Sequence, residues 1–361
     1  MPSELAHFYS RTRTARKVIV VDLGFLGDTI HLLPALWDLH EAYPEASLQV
    51  MTTPLGAEVL KLVPCVDRVW AVELQREKRT LRQQVGVIRA VRREQLDVAF
   101  NFSGADRTLF MTALTGAKSK VGYPGGRQHF WNAWLIRNWA PRQDLDMIVF
   151  AQRRRTLAAC GVPLGPVRFD LKLDPEAMVW AEGVVPRFAM HVSLNSSKAT
   201  REWPLEHHVA MFREVWSVHP ELQVVISTGA KERERQRLNA FAAMLTDSRL
   251  HVITQTTTIS QLAALLKHCR LHLGPDSGVL HLAFALGVPT VSFFREQGAY
   301  KSFMPVGPDH RVISTPCRCV DDRDSECERQ NRGECFARIE PLRVARLVSD
   351  ALEACRGLPR S

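Results

Sequence analysis

Short β-branched apolar runs alternate along this chain with longer stretches whose apolar positions recur every three to four residues. Lys17–Leu23 (KVIVVDL) is the first run, and Asp28–Tyr43 follows it with Ile30, Leu33, Leu36, Trp37 and Leu39 at helical spacing. A continuous β-branched run predicts a buried strand, and the 3.6-residue period predicts a helix. The same reading places strands at Leu48–Thr52, Arg68–Val72, Asp97–Phe102 and Lys120–Tyr123. Helices are expected near Leu55–Val63, at Thr80–Glu94 (basic and amphipathic) and at Asp106–Leu114. Gly125–Pro141 breaks the alternation and reads as an irregular loop rich in Trp, Arg and Phe.

The alternation restarts after a Gly/Pro cluster at Gly161–Pro166, a candidate linker. Strands are expected at Phe188–Leu194, Leu222–Thr228, His251–Ile253, Leu271–Leu273 and Thr290–Phe293. Helices are expected at Leu205–Val218, Lys231–Leu245, Ile259–His268, Ser277–Leu286 and Pro341–Ala354. Strand–helix repetition of this kind implies parallel sheets covered by helices. The fold class is therefore α/β, with two Rossmann-like domains, 1–165 and 166–361, and a cleft between them. Ligands of such sheets bind at the carboxyl ends of the strands.

Composition narrows the picture. The chain has 361 residues, 46% hydrophobic and 24% charged, which excludes wholesale disorder. No apolar run approaches the ~18–20 residues of a membrane span. The first apolar run after the basic N-terminal residues, Val18–Leu23, is only strand length and too short for a signal-peptide core, so the reading is cytoplasmic. The net charge of +9 is uneven: residues 1–165 hold 22 Lys/Arg against 15 Asp/Glu, and the remainder holds 25 against 23. An anionic partner of the first half accounts for this surplus, as does a merely solvated basic surface. Cys317, Cys319, Cys327 and Cys335 fall in one polar segment with C-x-C-x7-C-x7-C spacing, unlike paired C-x2-C zinc sites. Free thiols or a structural metal fit a reducing compartment better than disulfides.

Two strand-to-helix junctions carry candidate chemistry. The first, Asp22–His31 (DLGFLGDTIH), has Gly24 and Gly27 for a sharp turn and Asp28 where an N-cap belongs. The second, Leu273–His281 (LGPDSGVLH), leads from a strand into a helix whose first-turn N–H groups suit a diphosphate. There Asp276 is a candidate cap or sugar contact, and Ser277 and His281, four apart, share a helix face. The loop Leu194–Pro204 adds Ser196 and two cations, Lys198 and Arg201, and Glu232 follows another strand end, where it is either an acceptor for ribose hydroxyls or merely a favourable residue at a helix N-terminus. Neither G-x-G-x-x-G nor G-x-x-x-x-G-K-[ST] is present, which argues against nicotinamide and P-loop chemistry.

LGDTIHLLPAL (Leu26–Leu36), REWP (Arg201–Pro204) and GPDSGVLHLAFALGVPTVSFF (Gly274–Phe294) resemble, in order, the signatures of the glycosyltransferase family 9 heptosyltransferases. The segment from Cys317 to Ile339 resembles cysteine-bearing tails of some members. The resemblance implies a GT-B fold, two Rossmann-like domains with parallel sheets facing across a cleft. It also implies inverting transfer of heptose from ADP-heptose to the lipopolysaccharide inner core, with no cofactor, no catalytic metal and no nucleic-acid partner. Asp28 matches the proposed base, with Gly27 and His31 on the acceptor side. Asp276, Ser277, Gly278 and His281 match the family's diphosphate and sugar contacts, and Ser196, Lys198 and Arg201 of the polar loop are counted with them as nucleotide-sugar candidates. Glu232 is the nearest match to the ribose carboxylate, with Glu234 also in reach. Arg201 stands where many members have Lys. Location would be cytoplasmic, peripheral to the inner membrane. Two alternatives are a protein (autotransporter) heptosyltransferase and a non-catalytic binding subunit; the preserved Asp28 and Asp276–His281 speak against the latter.

Overall fold

The computed structural model describes residues 4–73, 81–123, 136–142, 144–296, 300–317 and 334–355. The chain divides into two compact units, Met1–Lys172 and Leu173–Ser361.

The first unit is built on six strands: β1 (Lys17–Val21), β2 (Ser47–Thr52), β3 (Arg68–Ala71), β4 (Val98–Asn101), β5 (Ser119–Gly122) and β6 (Asn138–Trp139). All pair in parallel, in the order β3-β2-β1-β4-β5-β6. Successive β1 side chains feed opposite cores, because the strand period is two. Val18 and Val20 pack with Leu32, Leu33, Leu36 and Leu39 of α2 (Leu26–Ala42). Ile19 and Val21 pack with Val91 on the other face. Burial on both faces explains why β1 is uniformly apolar. A short α1 (Phe8–Thr12), α3 (Pro54–Leu60), α4 (Leu81–Arg93), α5 (Asp106–Leu114) and α6 (Val149–Ala159) complete the unit.

The second unit repeats the plan. Its strands are β7 (Ala189–Val192), β8 (Gln223–Ser227), β9 (Leu250–Ile253), β10 (Leu271–Pro275), β11 (Thr290–Glu296) and β12 (His310–Pro316), ordered β12-β11-β10-β7-β8-β9. Counted from each unit's first strand, both sheets have the order 3-2-1-4-5-6. Helices α7 (Pro175–Val184), α8 (Leu205–Val218), α9 (Glu232–Met244), α10 (Ile259–His268), α11 (Gly278–Ala285), α12 (Glu334–Ala337) and α13 (Pro341–Cys355) cover it. Val209, Phe212 and Val215 of α8 and Val344 and Val348 of α13 share one core with Met190 and Val192 of β7. Across the sheet, Ala189 and Val225 meet Leu265 of α10.

Several expectations need correction. The boundary lies at 172/173, not 165/166, because 162–172 is fastened to the first unit. Gly165 N–H donates to Asp38 Oδ1 at 2.9 Å, and Lys172 N–H donates to the Leu62 carbonyl at 2.8 Å. Phe169 and Leu171 also pack against that unit's core. Helices α6 and α7 and the edge strand β12 were not expected from periodicity. Strand β6 falls within the Gly125–Pro141 segment read as a loop, of which 124–135 lie outside the described residues.

Two histidines sit inside the second sheet. His191 Nδ1 and His272 Nδ1 are 2.9 Å apart, and His191 Nε2 lies 2.8 Å from Ser227 Oγ, all three residues buried. Burial pushes the His191 pKa down to about 3, and burial plus the His191 charge pushes His272 well below its ordinary value. Unfolded histidines titrate near ~6.5, so the unfolded chain takes up protons that the folded state refuses. The stability is complete above about pH 6.5 and declines as pH falls towards 3. The expected outcome is a Tm that drops across this range, with a shallower slope in His191→Gln. Calorimetric melts at stepped pH check it; identical slopes in both proteins contradict it.

Candidate active site

The first junction forms a tight turn at the carboxyl end of β1. Gly24 N–H donates to Asp22 Oδ1 at 2.9 Å, and α2 starts at Leu26 with Phe25 as its N-cap residue. Asp28 is therefore not the N-cap. It stands at the third helical position and reaches back to accept the Phe25 N–H on Oδ2 at 2.9 Å. This is the carboxylate half of a capping box, which Phe25 cannot complete with its own side chain. A Cβ on Gly24 would lie 2.5 Å from Asp28 Cβ and 2.7 Å from its Oδ2, so only glycine leaves room for the carboxylate.

Arg153 of α6 fixes this turn from beneath. Its Nη2 lies 2.7 Å from Asp22 Oδ2 and 3.8 Å from Asp28 Oδ1, and Nη1 donates to the Asp28 carbonyl. The Arg153 side chain is 7% exposed and that of Asp22 2%, whereas Asp28 keeps 27%. Asp28 is thus anchored yet open to solvent. The sequence reading missed Arg153, which sits in a run of three arginines (Arg153–Arg155) that looks solvated. Gly27 and His31 lie in the first two turns of α2 with Asp28, and both are buried, His31 with its ring stacked 6.1 Å from that of Phe150.

In the second unit, the expected residues converge from two adjacent strand ends, β7 and β10. Ser196 Oγ donates to the Asp276 carbonyl at 3.0 Å, and Arg201 Nη1 lies 3.1 Å from Asp276 Oδ2. His281 Nε2 lies 3.4 Å from Asp276 Oδ1. Burial alone would raise the Asp276 pKa, but the His281 hydrogen bond, the His281 charge and the Arg201 guanidinium outweigh it and hold it below the ordinary carboxylate value. The cap of α11 is Ser277, whose hydroxyl accepts the Leu280 N–H at 3.4 Å; Asp276 instead organises the cations around it. Gly278 is the first helical residue, so its N–H is among those without an intrahelical partner. Lys198 is exposed at the start of the Ala199–Arg201 turn.

An ionic knot around the buried Glu202 carboxylate, behind this site, escaped the sequence reading. Glu202 Oε1 accepts the Ser196 N–H at 2.9 Å and the Arg233 Nη1 at 2.6 Å. Its Oε2 lies 3.4 Å from Arg237 Nε, which donates to the Leu194 carbonyl at 3.1 Å. The Leu194–Trp203 loop is therefore held to α9 at several points, and Trp203 is fully buried with its indole N–H donated to the Ile339 carbonyl. Glu232 lies apart: its side chain is 66% exposed and bonded to Arg235 and Gln236 of its own helix. Glu234, 14% exposed, tucks under Gly229, where a Cβ would come within 2.2 Å of its Oε2. By position, Glu234 is the better carboxylate at that strand end.

Cys317 and Cys335 are buried free thiols, and Cys319 and Cys327 lie outside the described residues. Burial, then the neighbouring Cys317, raises the Cys335 pKa. Among the described residues no group of three or more His, Cys, Asp or Glu could hold a metal ion.

Arg153→Met leaves the Asp22 carboxylate buried without its counter-charge, and is expected to cost about 3–5 kcal/mol of stability. Adding Asp22→Asn should recover much of that loss. Urea denaturation of the two single variants and the double variant measures the coupling; simple additivity contradicts the ion pair.

A family model described as glycosyltransferase family 9 (heptosyltransferase) matches residues 85–332. The chain is similar to the lipopolysaccharide heptosyltransferase 1 of Pseudomonas aeruginosa, 25% identical over 359 residues, covering 91% of this chain and 96% of that protein. It is also similar to the lipopolysaccharide core heptosyltransferase OpsX of Haemophilus influenzae, 22% identical over 285 residues, covering 78% and 80%. Among solved structures, the glycosyl transferase family 9 protein of Veillonella parvula superposes with a TM-score of 0.79 at 18% identity, covering 94% of this chain and 98% of that one. The Escherichia coli heptosyltransferase WaaC with ADP superposes with a TM-score of 0.69 at 17% identity, covering 95% and 100%.

Proposed function

The chain belongs to glycosyltransferase family 9, and from that premise we propose that it transfers heptose from ADP-heptose to the inner core of lipopolysaccharide. The observation that carries the reading is the convergence of Ser196, Arg201, Asp276 and His281 on the N-terminus of α11. That arrangement offers unpartnered N–H groups, a positive dipole end and a guanidinium to a diphosphate. Lipopolysaccharide heptosyltransferases among the relatives support the acceptor class.

The reaction is a single displacement. An acceptor hydroxyl oxygen attacks the anomeric carbon of the heptose, and its proton passes to Asp28. The bond from that carbon to the distal phosphate oxygen breaks, and ADP leaves with the electron pair. One displacement inverts the anomeric configuration. Arg201, Lys198 and the α11 amides meet the charge developing on the departing diphosphate. Glu234 takes the ribose hydroxyls in preference to the solvent-facing Glu232. The first unit serves the acceptor and the second the nucleotide sugar.

No helix among the described residues is long and apolar enough to cross a membrane. With a lipid-linked acceptor, the fitting location is the cytoplasmic face of the inner membrane, bound peripherally.

Two measurements test this reading. ADP should raise Tm by mass action, and Asp276→Ala or His281→Ala should remove most of that shift; an undiminished shift relocates the donor site. In transfer assays with ADP-heptose and truncated cores, Asp28→Ser should lose roughly 10²–10⁴-fold in turnover while the ADP shift persists. Near-normal transfer by Asp28→Ser reduces that residue to a structural role.

A further inference from the structure

Phe25 directly precedes the helix that carries Asp28, and it is 84% exposed, more than any other large apolar residue among those described. Single exposed apolar residues are ordinary on a protein surface. This one stands where a polar residue would serve the fold better. Phe25 is the N-cap of α2, with φ −77° and ψ 177°, the extended backbone that a serine or threonine cap adopts. Such a cap accepts an N–H of the first turn, and the Phe25 ring has no oxygen to do so. Thr53, Asp174, Thr258 and Ser277 make that kind of bond at the starts of α3, α7, α10 and α11. Nor is the ring a hydrophobic staple. A staple pairs apolar side chains at the residue before the cap and at the fourth helical residue, which here are Gly24 and Thr29. The ring thus supplies neither a cap bond nor core packing.

Its neighbour is the proposed base. The Phe25 N–H donates to Asp28 Oδ2 at 2.9 Å, and the Asp28 side chain stays open to solvent. Covalent geometry puts the ring centre of a phenylalanine about 4–5 Å from its own backbone nitrogen. A sugar hydroxyl that bonds to the Asp28 carboxylate lies ~2.7 Å from it. The pyranose that bears this hydroxyl is therefore within its own width of the Phe25 ring. An aromatic face is electron-rich, and the C–H groups on one side of a pyranose carry the complementary partial positive charge. The two surfaces stack without any ionic contact.

We infer that Phe25 is a stacking residue for the acceptor: its ring takes the apolar face of the pyranose whose hydroxyl Asp28 deprotonates. The inference rests on the transfer reaction proposed above and adds a neutral, specificity-determining contact to it. One residue then performs two tasks, because its N–H orients the carboxylate while its side chain orients the sugar. A pyranose that presents C–H groups to the ring is accepted. One that presents an axial hydroxyl there leaves that hydroxyl unpaired, which disfavours it. The helix cap is given up for this contact.

The test compares wild type with Phe25→Ser and Phe25→Tyr on two acceptors: a lipid-free, heptose-deficient core oligosaccharide, and the same core on its lipid in phospholipid vesicles. Phe25→Ser should raise the acceptor KM roughly tenfold on both, with kcat and the KM for ADP-heptose little changed. Phe25→Tyr, which keeps an aromatic face, should stay near wild type. Melting curves run alongside, and Phe25→Ser should melt at or above the wild-type Tm because its hydroxyl supplies the missing cap. An unchanged acceptor KM in Phe25→Ser overturns the stacking role, as does an equal loss in Phe25→Tyr. A Phe25→Ser protein that melts below wild type makes the ring a packing residue and overturns it too. A penalty confined to the vesicle-bound acceptor makes the ring a membrane contact and overturns it likewise. A wild-type enzyme that transfers heptose to neither acceptor overturns the proposed function itself, and the stacking role with it.

Discussion

Parallel strands cannot be joined by hairpins, so each connection must climb back through a crossover, here mostly helical. All the loops that leave carboxyl ends then gather along one edge of each sheet. Where the strand order reverses, between β1 and β4 and between β7 and β10, consecutive crossovers run to opposite faces and leave a crevice. The Asp28 turn leaves β1, and the Ser196–Arg201 loop and the Asp276–His281 junction leave β7 and β10. The candidate chemistry thus falls at the reversal point of each sheet, where backbone covering is thinnest. Topology brings these candidate residues to the strand ends; their side chains decide what chemistry each end could carry.

Filling it required buried charge. Turns at strand ends have few apolar contacts, so both are stiffened by ion pairs instead. In the first unit Arg153 ties the end of β1 to the first turn of α2 through Asp22 and the Asp28 carbonyl. In the second, Glu202 ties the Ser196 loop to α9 through Arg233 and Arg237. Buried ion pairs contribute little net stability compared with an apolar replacement, but removing one partner is costly. Their use here fits a demand for fixed geometry. Leu194–Trp203 must hold Ser196 and Arg201 at set distances from Asp276, which apolar packing of a polar loop could not do.

This division explains what was legible in the chain. Strands buried on both faces announce themselves as unbroken β-branched runs, and the amphipathic helices covering them repeat at 3.6 residues. The junction residues were visible as Gly, Asp, Ser and His crowded into nine positions, and the family signatures located them. Edge and charge-bearing elements were not visible in this way. Strand β12 (HRVISTP) is half polar because it lies at the sheet margin, where alternation weakens. Helix α6 (VFAQRRRTLAA) hides its inward face, because Arg153 and Arg154 point into acidic partners, Asp22 and Asp38, and not into a core. Helix α7 carried a readable start, since Asp174 caps it and Pro175 occupies its first position. Its scattered apolar residues, and Gly183 in its last turn, masked the period. The second-unit boundary moved because 162–172 is fastened to the first unit both by the Gly165 and Lys172 backbone bonds and by Val162, Phe169 and Leu171 at its core, contacts that a Gly/Pro cluster does not announce.

The anchoring of Asp28 carries a chemical consequence. A carboxylate that accepts a backbone N–H at a helix N-terminus, with a guanidinium 3.8 Å away, is a poor base towards an ordinary hydroxyl. In the proposed reaction it would become adequate once the acceptor oxygen is already bonding to the anomeric carbon, since that oxygen acidifies as it donates electrons. Proton transfer then follows bond formation, and the demand shifts from basicity to position. Gly24 leaves the space, the Phe25 N–H sets the rotamer and Arg153 fixes the turn. The Phe25 N–H and the Arg153 guanidinium both favour placement of the Asp28 carboxylate over base strength. In the proposed reaction that trade is sensible only if departure of the diphosphate, which Arg201 and the α11 amides would assist, runs ahead of deprotonation.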